Sequence, residues 1–317
     1  MPMRMKRAKR GAAAAALVFG LVLCGGCSGG GSDAAAATPA VTSAAHDLAS
    51  YDAFVMGSAE NNLLFADVYG IRFEPFTVDR ITVNKRISAV GADDQHVMVA
   101  AGDEQIDKLA ELTGAGDLVP VPGLGRPHAF APRLRDGVMY YSDSEGPEGA
   151  QYRWFAWDLE KRTNKLLFSS KVDFGVPSPT SGGRTVLSED DNGQTAAVVR
   201  SAAGKLTRFP LHVVAGTGEP GRDYIAITTA APGSSDSKPD GLVLLDPKTG
   251  KLTRVPGLIA LGWSPDGTRL LARRAAPETS SELVVLDPTK PDAAKSLQTV
   301  PNLAIYGGVW VRGSAAS

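Results

Sequence analysis

A strand-and-turn pattern recurs at a nearly constant interval along this chain, and it constrains the fold more than any other feature. Its two clearest copies are Gly241–Pro256 and Glu282–Pro301, in which an apolar strand ends in Asp-Pro and a short alternating strand ends in Val-Pro. Copies of the short strand begin at positions 117, 165, 205, 251 and 296, which lie 48, 40, 46 and 45 residues apart. Because alternation of apolar and polar residues is typical of half-buried strands, the pattern predicts an all-β repeat structure.

Each repeat contains four short strands, which we label A to D from the innermost to the outermost. In the last repeat the four strands are predicted at Leu258–Trp263, Arg269–Arg273, Leu283–Asp287 and Leu297–Val300. Units of about 40–45 residues with four strands are typical of propeller blades. The chain holds six such units, so the prediction is a single six-bladed β-propeller.

The first repeat lacks an A strand of its own. Its B, C and D strands are predicted at 51–58, 61–68 and 76–83, and no strand pattern precedes them. The apolar run Leu303–Arg312 follows the last D strand, and we expect it to supply the missing A strand. The C-terminal strand would then close the ring and cover an open sheet edge.

One segment has a spacing that conflicts with the repeat. Glu104–Thr113 has helical periodicity and good helix formers, whereas the repeat makes it strand C of the second unit. The repeat is favoured, so a strand is predicted there.

The turn Trp263-Ser264-Pro265-Asp266-Gly267 joins strands A and B of the last unit. Proline fixes φ at one turn position and glycine accepts a positive φ at another, so the strands reverse tightly. The motif resembles the corresponding turn of TolB-like and related WD-repeat propellers. This resemblance implies protein–protein contacts, although such folds also host lyases, lactonases and sugar-binding proteins.

The N-terminal segment has the features of an export signal. Basic residues occupy positions 1–10, and the apolar run Gly11–Leu23 is only 13 residues long, which is too short for a stable membrane span. Cys27 follows Gly25 and Gly26, an arrangement that resembles bacterial lipoprotein precursors. The resemblance implies lipidation at Cys27 and a location at the cell membrane, on its extracytoplasmic face. The alternative is an ordinary secretory signal whose two cysteines are incidental.

The resulting domain organisation has three parts. Residues 1–26 are predicted to be a lipoprotein signal peptide, 27–45 the lipidated Cys27 with a flexible Gly/Ser/Ala tether, and 46–317 the propeller domain. Without the signal peptide the chain carries 28 basic and 34 acidic residues and has no basic run. This charge excludes a typical nucleic-acid-binding protein.

The repeats contain no motif that pairs a nucleophile with a base. They have no Gly-x-Ser-x-Gly elbow, no phosphate loop and no His-Glu-x-x-His sequence, so no catalytic residue, metal or cofactor is expected. A monomeric, non-enzymatic binding or protein-interaction scaffold is the favoured function. Its partners would be the membrane, through the lipid anchor, and an envelope or extracellular protein or ligand.

Candidate binding residues lie near the predicted starts of A strands. His128 and His212 precede the A strands of the third and fifth units, and Arg126 and Asp173 are predicted to lie near them at one mouth of the central channel. The B–C loops at 144–149, 231–239 and 275–280 are predicted to project at the same mouth, where variable loops could carry recognition. The alternative function is a metal-dependent hydrolase or lyase, with His128 and His212 as metal ligands.

Aromatic residues are concentrated in the third unit. They are Tyr140, Tyr141, Tyr152, Trp154, Phe155 and Trp157. An exposed aromatic stack would suit a sugar ring, but both faces of a blade are covered by its neighbours. Packing between blades is therefore the favoured interpretation.

Overall fold

The computed structural model describes most of the repeat region. The described residues are 45–60, 66–103, 106–122, 124, 130–145, 151–171, 178–179, 185–191, 194–201, 203–211, 213–230, 239–275 and 279–312. They all belong to the compact unit Ala36–Ser317.

The strands form consecutive antiparallel sheets in chain order. Sheet 1 contains β1 (Ala53–Ser58), β2 (Asp67–Phe73) and β3 (Phe76–Arg80). Sheet 2 contains β4 (Ile87–Ala92), β5 (Val97–Asp103), β6 (Ile106–Leu112) and β7 (Leu118–Pro120). Sheet 3 contains β8 (Phe130–Arg135), β9 (Val138–Glu145), β10 (Gln151–Asp158) and β11 (Thr163–Ser170).

The second half of the chain continues in the same way. Sheet 4 contains β12 (Ser178–Pro179), β13 (Thr185–Asp191), β14 (Gln194–Arg200) and β15 (Leu206–Phe209). Sheet 5 contains β16 (Val213–Pro220), β17 (Ile225–Ala230), β18 (Pro239–Leu245) and β19 (Leu252–Pro256). Sheet 6 contains β20 (Leu258–Trp263), β21 (Leu270–Ala275), β22 (Ser281–Leu286) and β23 (Lys295–Val300). In the described part of the chain these make six sheets, each of four strands once the last strand is included.

The last strand, β24 (Ala304–Trp310), returns to sheet 1 and pairs antiparallel with β1. The register joins Ala53 to Trp310 and Ser58 to Ala304, with a bulge between Met56 and Gly57. The predicted C-terminal closure is therefore confirmed. The arrangement is an all-β propeller, in which the A strands β24, β4, β8, β12, β16 and β20 are the inner strands.

Two sequence predictions about strands have different outcomes. The segment with helical spacing is strand β6, as the repeat predicted. The C strand of the first unit is expected from the sequence at about 61–68. Residues 61–65 lie outside the described residues, and the described C strand, β2, begins at Asp67. The pairing with β1 sets this start, since Gly57 faces Asp67 and Ala53 faces Ile71.

The hydrophobic core lies between successive sheets. Sheets 2 and 3 meet through Met98 and Leu109 on one side and Phe155 and Trp157 on the other. On the opposite face of sheet 3, Trp154 packs against Val198 of sheet 4. Each described boundary between neighbouring sheets has such a cluster, including the one between sheets 6 and 1.

These contacts explain the aromatic residues of sheet 3. Tyr141, Trp154, Phe155 and Trp157 are all buried. Trp154 stacks on Phe168 with ring centroids 4.4 Å apart, and Tyr141 stacks on Phe155 at 5.2 Å. The prediction that these residues pack between sheets is confirmed.

Helical structure is scarce in the described residues, where the 3₁₀ turn Leu48–Ser50 precedes β1. No described helix has both the length and the apolar character needed to cross a membrane.

We predict that Trp310→Ala will destabilise the domain by about 3–5 kcal/mol, because it removes a buried aromatic side chain from the closing strand. Trp310 is 3% exposed and its ring meets Phe73 edge-on at 5.3 Å. Leu252→Ala is the matched control, since Leu252 is 40% exposed on an outer strand. Urea unfolding of both variants measures the difference, and equal midpoints would contradict the role of the closing strand.

Candidate functional site

The two ends of the channel are defined by the direction of the inner strands. At one end of the channel the A strands begin and the B–C loops lie. We call this end the A-start mouth. The A strands end at the other side, which we call the A-end mouth, and the A–B turns surround it. A cavity of about 710 Å³ opens at the A-end mouth.

The cavity is lined by residues of five sheets among the described parts of the chain. The lining consists of residues 91–94 of sheet 2, 133–136 of sheet 3, 221–222 of sheet 5, 262–267 of sheet 6 and 309–311 of sheet 1. Its charged members are Asp93, Asp94, Asp136, Asp266, Arg133, Arg135 and Arg222. Clefts of this size, with a few fixed polar groups, are typical of ligand-binding sites.

Asp93 connects two neighbouring A–B turns. Its Oδ1 accepts hydrogen bonds from the backbone N–H groups of Gln95 (3.0 Å) and His96 (2.8 Å), which fixes its own turn. Its Oδ2 accepts a hydrogen bond from the backbone N–H of Gly137 (3.2 Å), in the β8–β9 turn of sheet 3. One carboxylate thus holds the turns of sheets 2 and 3 in a fixed relation.

Sheets 5 and 6 are joined at the mouth in a different way. The backbone N–H of Arg222 donates to the carbonyl of Gly267 at 2.9 Å. A Cβ on Gly267 would lie 2.7 Å from the Arg222 nitrogen, so only glycine fits this approach. Gly221 likewise packs against the Trp263 ring, because an added Cβ would lie 2.6 Å from that ring.

The Trp263–Gly267 turn is ordered by its own side chains. The Ser264 hydroxyl donates to Asp266 at 2.6 Å, and the backbone N–H of Thr268 donates to the same oxygen at 3.1 Å. The Ser264 bond is the main reason why the pKa of Asp266 lies below its usual value. Gly267 has φ +69°, as the predicted glycine turn requires. Asp266 therefore remains a carboxylate at the cavity rim.

The N-terminal end of the domain is held on the same side of the ring, against the outer strands of sheets 1 and 2. The backbone N–H of His46 donates to the Gly114 carbonyl at 2.6 Å, and the Tyr51 hydroxyl donates to Asp79 at 2.9 Å. The Arg72 guanidinium also donates to Asp79 and lies 4.2 Å from the centre of the Tyr51 ring. Burial, followed by the hydrogen bond to Asp79, raises the pKa of Tyr51 to about 12.

The sequence-predicted site residues cannot be compared with this geometry. Cys27, Arg126, His128, Asp173 and His212 all lie outside the described residues. Most of the three B–C loops lie outside them as well.

The described part of the A-start side has a smaller cavity, of about 450 Å³, beside sheet 1. Arg80 lines it, and its guanidinium is bound to the buried Asp67 carboxylate at 2.5 Å. Among the described residues, no group of three or more His, Cys, Asp or Glu side chains could hold a metal ion.

Sequence reasoning missed the A-end cavity. It identified the Trp263–Gly267 turn between strands A and B as a tight strand reversal and did not compare it with the other A–B turns of the repeat. The available signal was that most of these turns carry an Asp or Arg and that all A–B turns of a propeller meet at one mouth. Placing the turns side by side would have identified the charged rim.

Comparison with known proteins identifies the fold. No protein-family model and no curated protein matches the chain. TolB from Acinetobacter baumannii superposes with a TM-score of 0.59 at 12% identity, over 82% of this chain and 66% of that protein. A chain of a nidogen/laminin complex gives a TM-score of 0.54 at 11% identity, over 81% of this chain and 97% of that one. The chain therefore has a β-propeller fold. This fold is similar to that of TolB, and the chain spans about two thirds of the length of that protein.

We predict that Gly267→Ala will destabilise the domain clearly more than Gly137→Ala. Both glycines lie in A–B turns at positive φ, +69° and +72°, so alanine is strained by about 1–2 kcal/mol at either position. A Cβ at Gly137 would meet nothing within 4 Å, whereas one at Gly267 would collide with Arg222. Urea unfolding measures both variants. Equal losses would show that the contact between the turns of sheets 5 and 6 does not contribute.

Proposed function

We propose that this protein is a lipid-anchored, extracytoplasmic propeller of six blades, one per sheet, and that it acts as a non-enzymatic binding scaffold. The observation that carries the proposal is the A-end cavity, whose walls come from the A–B turns of separate sheets and are fixed by bonds between those turns. Rigid walls of this kind reduce the ordering cost of binding. An envelope or extracellular protein would be the partner.

The polar groups of the described cavity lining are held in place by bonds within and between the turns. Its one hydroxyl, that of Ser264, donates to Asp266 and accepts from the backbone N–H of Arg269 at 3.0 Å. The described lining contains no Cys, His, Lys or Tyr. The described hydroxyl thus serves to order the Trp263–Gly267 turn.

The anchor belongs to the proposal on sequence grounds. Residues 28–45 form a tether of 18 residues between Cys27 and the domain. A Gly/Ser-rich chain of that length has a root-mean-square span of about 23 Å. The anchor would therefore allow the domain to turn relative to the membrane while keeping it close.

We predict that Cys27→Ser will move the protein from the membrane fraction to the soluble extracytoplasmic fraction, because it removes the acylation site. Cys24→Ser is the matched control and should leave the protein in the membrane fraction. Intact mass spectrometry of the membrane-bound protein should give an acylated chain that begins at Cys27. An unmodified chain, or one with a different first residue, would contradict the proposed anchor.

The recognition site is tested by site-specific photocrosslinking in intact envelopes. A photoreactive amino acid replaces Asp136, whose side chain is 91% exposed at the cavity rim. A second variant carries it at Lys165, an exposed position on the outer strand β11. We expect a defined adduct from position 136 that is absent from position 165 and is lost when Arg222→Glu is added.

Equal adducts from both positions would contradict recognition at the A-end mouth. The predicted site at Arg126, His128, Asp173 and His212 remains a second proposal, for the A-start mouth. One tightly bound divalent ion per purified chain, lost in His128→Ala or His212→Ala, would support the hydrolase or lyase alternative instead.

A further inference from the structure

We infer that Arg273 forms a binding site for a single carboxylate group at the A-start mouth. The inference goes beyond the proposed function, because it concerns a different part of the ring from the A-end cavity. It rests on the surroundings of this side chain, which is a partly buried cation without a counter-charge among the described residues.

Arg273 lies on the face of sheet 6 that packs against sheet 1. Leu271 shares this face of β21, and both Leu271 and the register partner of Arg273, Leu283, belong to the buried cluster that joins the two sheets. Arg273 comes two residues before the end of β21, and Tyr306 two residues after the start of β24. Because β21 ends and β24 begins at the A-start mouth, both residues lie near that mouth.

The guanidinium group of Arg273 has no partner in the part of the chain that the structure describes. Its Nε is buried and makes no hydrogen bond, and no ion pair joins the group to a described carboxylate. The next residue, Arg274, differs in both respects, since it is exposed and donates to Glu282 at 2.7 Å. The two neighbouring arginines therefore offer a direct comparison between a paired and an unpaired guanidinium.

Tyr306 does not neutralise this cation. It is the described group whose charge acts on Arg273, but burial raises its pKa, so its hydroxyl stays neutral at neutral pH. Burial also lowers the pKa of Arg273, although a guanidinium keeps its charge at neutral pH. A partly desolvated charge without a partner is unfavourable, so an anion that binds there stabilises the folded protein.

The repeat itself does not require a cation at this position. Ile225 of β17 and Leu270 of β21 are equivalent, because each pairs with the leucine that precedes an Asp-Pro turn. Three residues further on, sheet 5 has Thr228 and sheet 6 has Arg273. Thr228 is buried, and its hydroxyl accepts a hydrogen bond from the backbone N–H of Ala260 in the next sheet at 3.3 Å. Sheet 6 has a long cationic side chain in place of this bond between sheets, which indicates a different role.

The surroundings favour an anion with one negative charge. Arg273 pairs across the sheet with Ile259 on one side and Leu283 on the other, so its cross-strand neighbours are apolar. One guanidinium compensates one charge, and the second charge of a dianion would stay unpaired beside these side chains. A carboxylate carries one charge and has two oxygens that match the planar guanidinium fork.

The test follows the Nε–H resonances of the arginines in purified, ¹⁵N-labelled protein by NMR. The Arg273 signal is identified by its loss in Arg273→Lys. We expect acetate to shift this signal saturably and to leave that of Arg274 in place. Acetamide, the neutral analogue, and chloride at the same ionic strength should not shift it. Sulfate should bind roughly tenfold more weakly than acetate, because it carries the second charge.

Thermal unfolding provides a second measurement. Without acetate, Arg273→Met should unfold at the same temperature as the unchanged protein or at a higher one, because an apolar side chain of similar length replaces an unpaired charge. Acetate should raise the unfolding temperature of the unchanged protein and of the matched control Arg274→Met, but not that of Arg273→Met.

A shift that chloride or acetamide reproduces, no saturable shift with acetate, or tighter binding of sulfate would overturn the inference. A lower unfolding temperature for Arg273→Met than for Arg274→Met would also overturn it, since the guanidinium would then stabilise the protein without an anion. These results leave the proposed function untouched, because the crosslink at position 136 reports on the opposite mouth.

Discussion

The pairing of β24 with β1 is the interaction on which the rest of this structure depends. A sheet that begins at β1 has an open inner edge, and a ring that ends at β23 has a gap between its first and last sheets. The C-terminal strand closes both at once, because it pairs with β1 and packs Ile305 and Trp310 against sheet 6. The same strand places residues 309–311 in the A-end cavity, so ring closure also completes the proposed site.

Burial between sheets holds the rest of the ring together. Cys24 and Cys27 are the only cysteines of the chain, so no disulfide can form within the propeller domain. Among the side chains that the structure describes, buried apolar clusters join each sheet to the next, as Leu271 and Val285 are joined to Ile71. Glycines make the closest approaches possible, since a Cβ on Gly262 would lie 2.8 Å from the backbone nitrogen of Trp310. The charged side chains of the A–B turns lie at the A-end mouth, outside these apolar clusters.

The sequence predicts the strands well because the signals for them are local and repeated. The four strands of the last unit, the strand at Ile106–Leu112 and the closing strand are all found as expected. The start of β2 is not predicted, because pairing with β1 decides it rather than the apolar run before Asp67. The cavity is not predicted either, since residues as distant in sequence as Asp93, Arg222 and Asp266 become neighbours only when the ring closes.

The position of the N-terminal segment relates the cavity to the proposed anchor. His46 is bonded to Gly114, and Arg312, which follows the closing strand, donates to the carbonyl of Ala49. Ala45 and the residues after it are thus held on the side where the A strands end. In the anchored protein that we propose, the tether would leave the domain on the same side as the cavity. A partner that enters the A-end mouth would therefore approach the side of the ring that also carries Ala45.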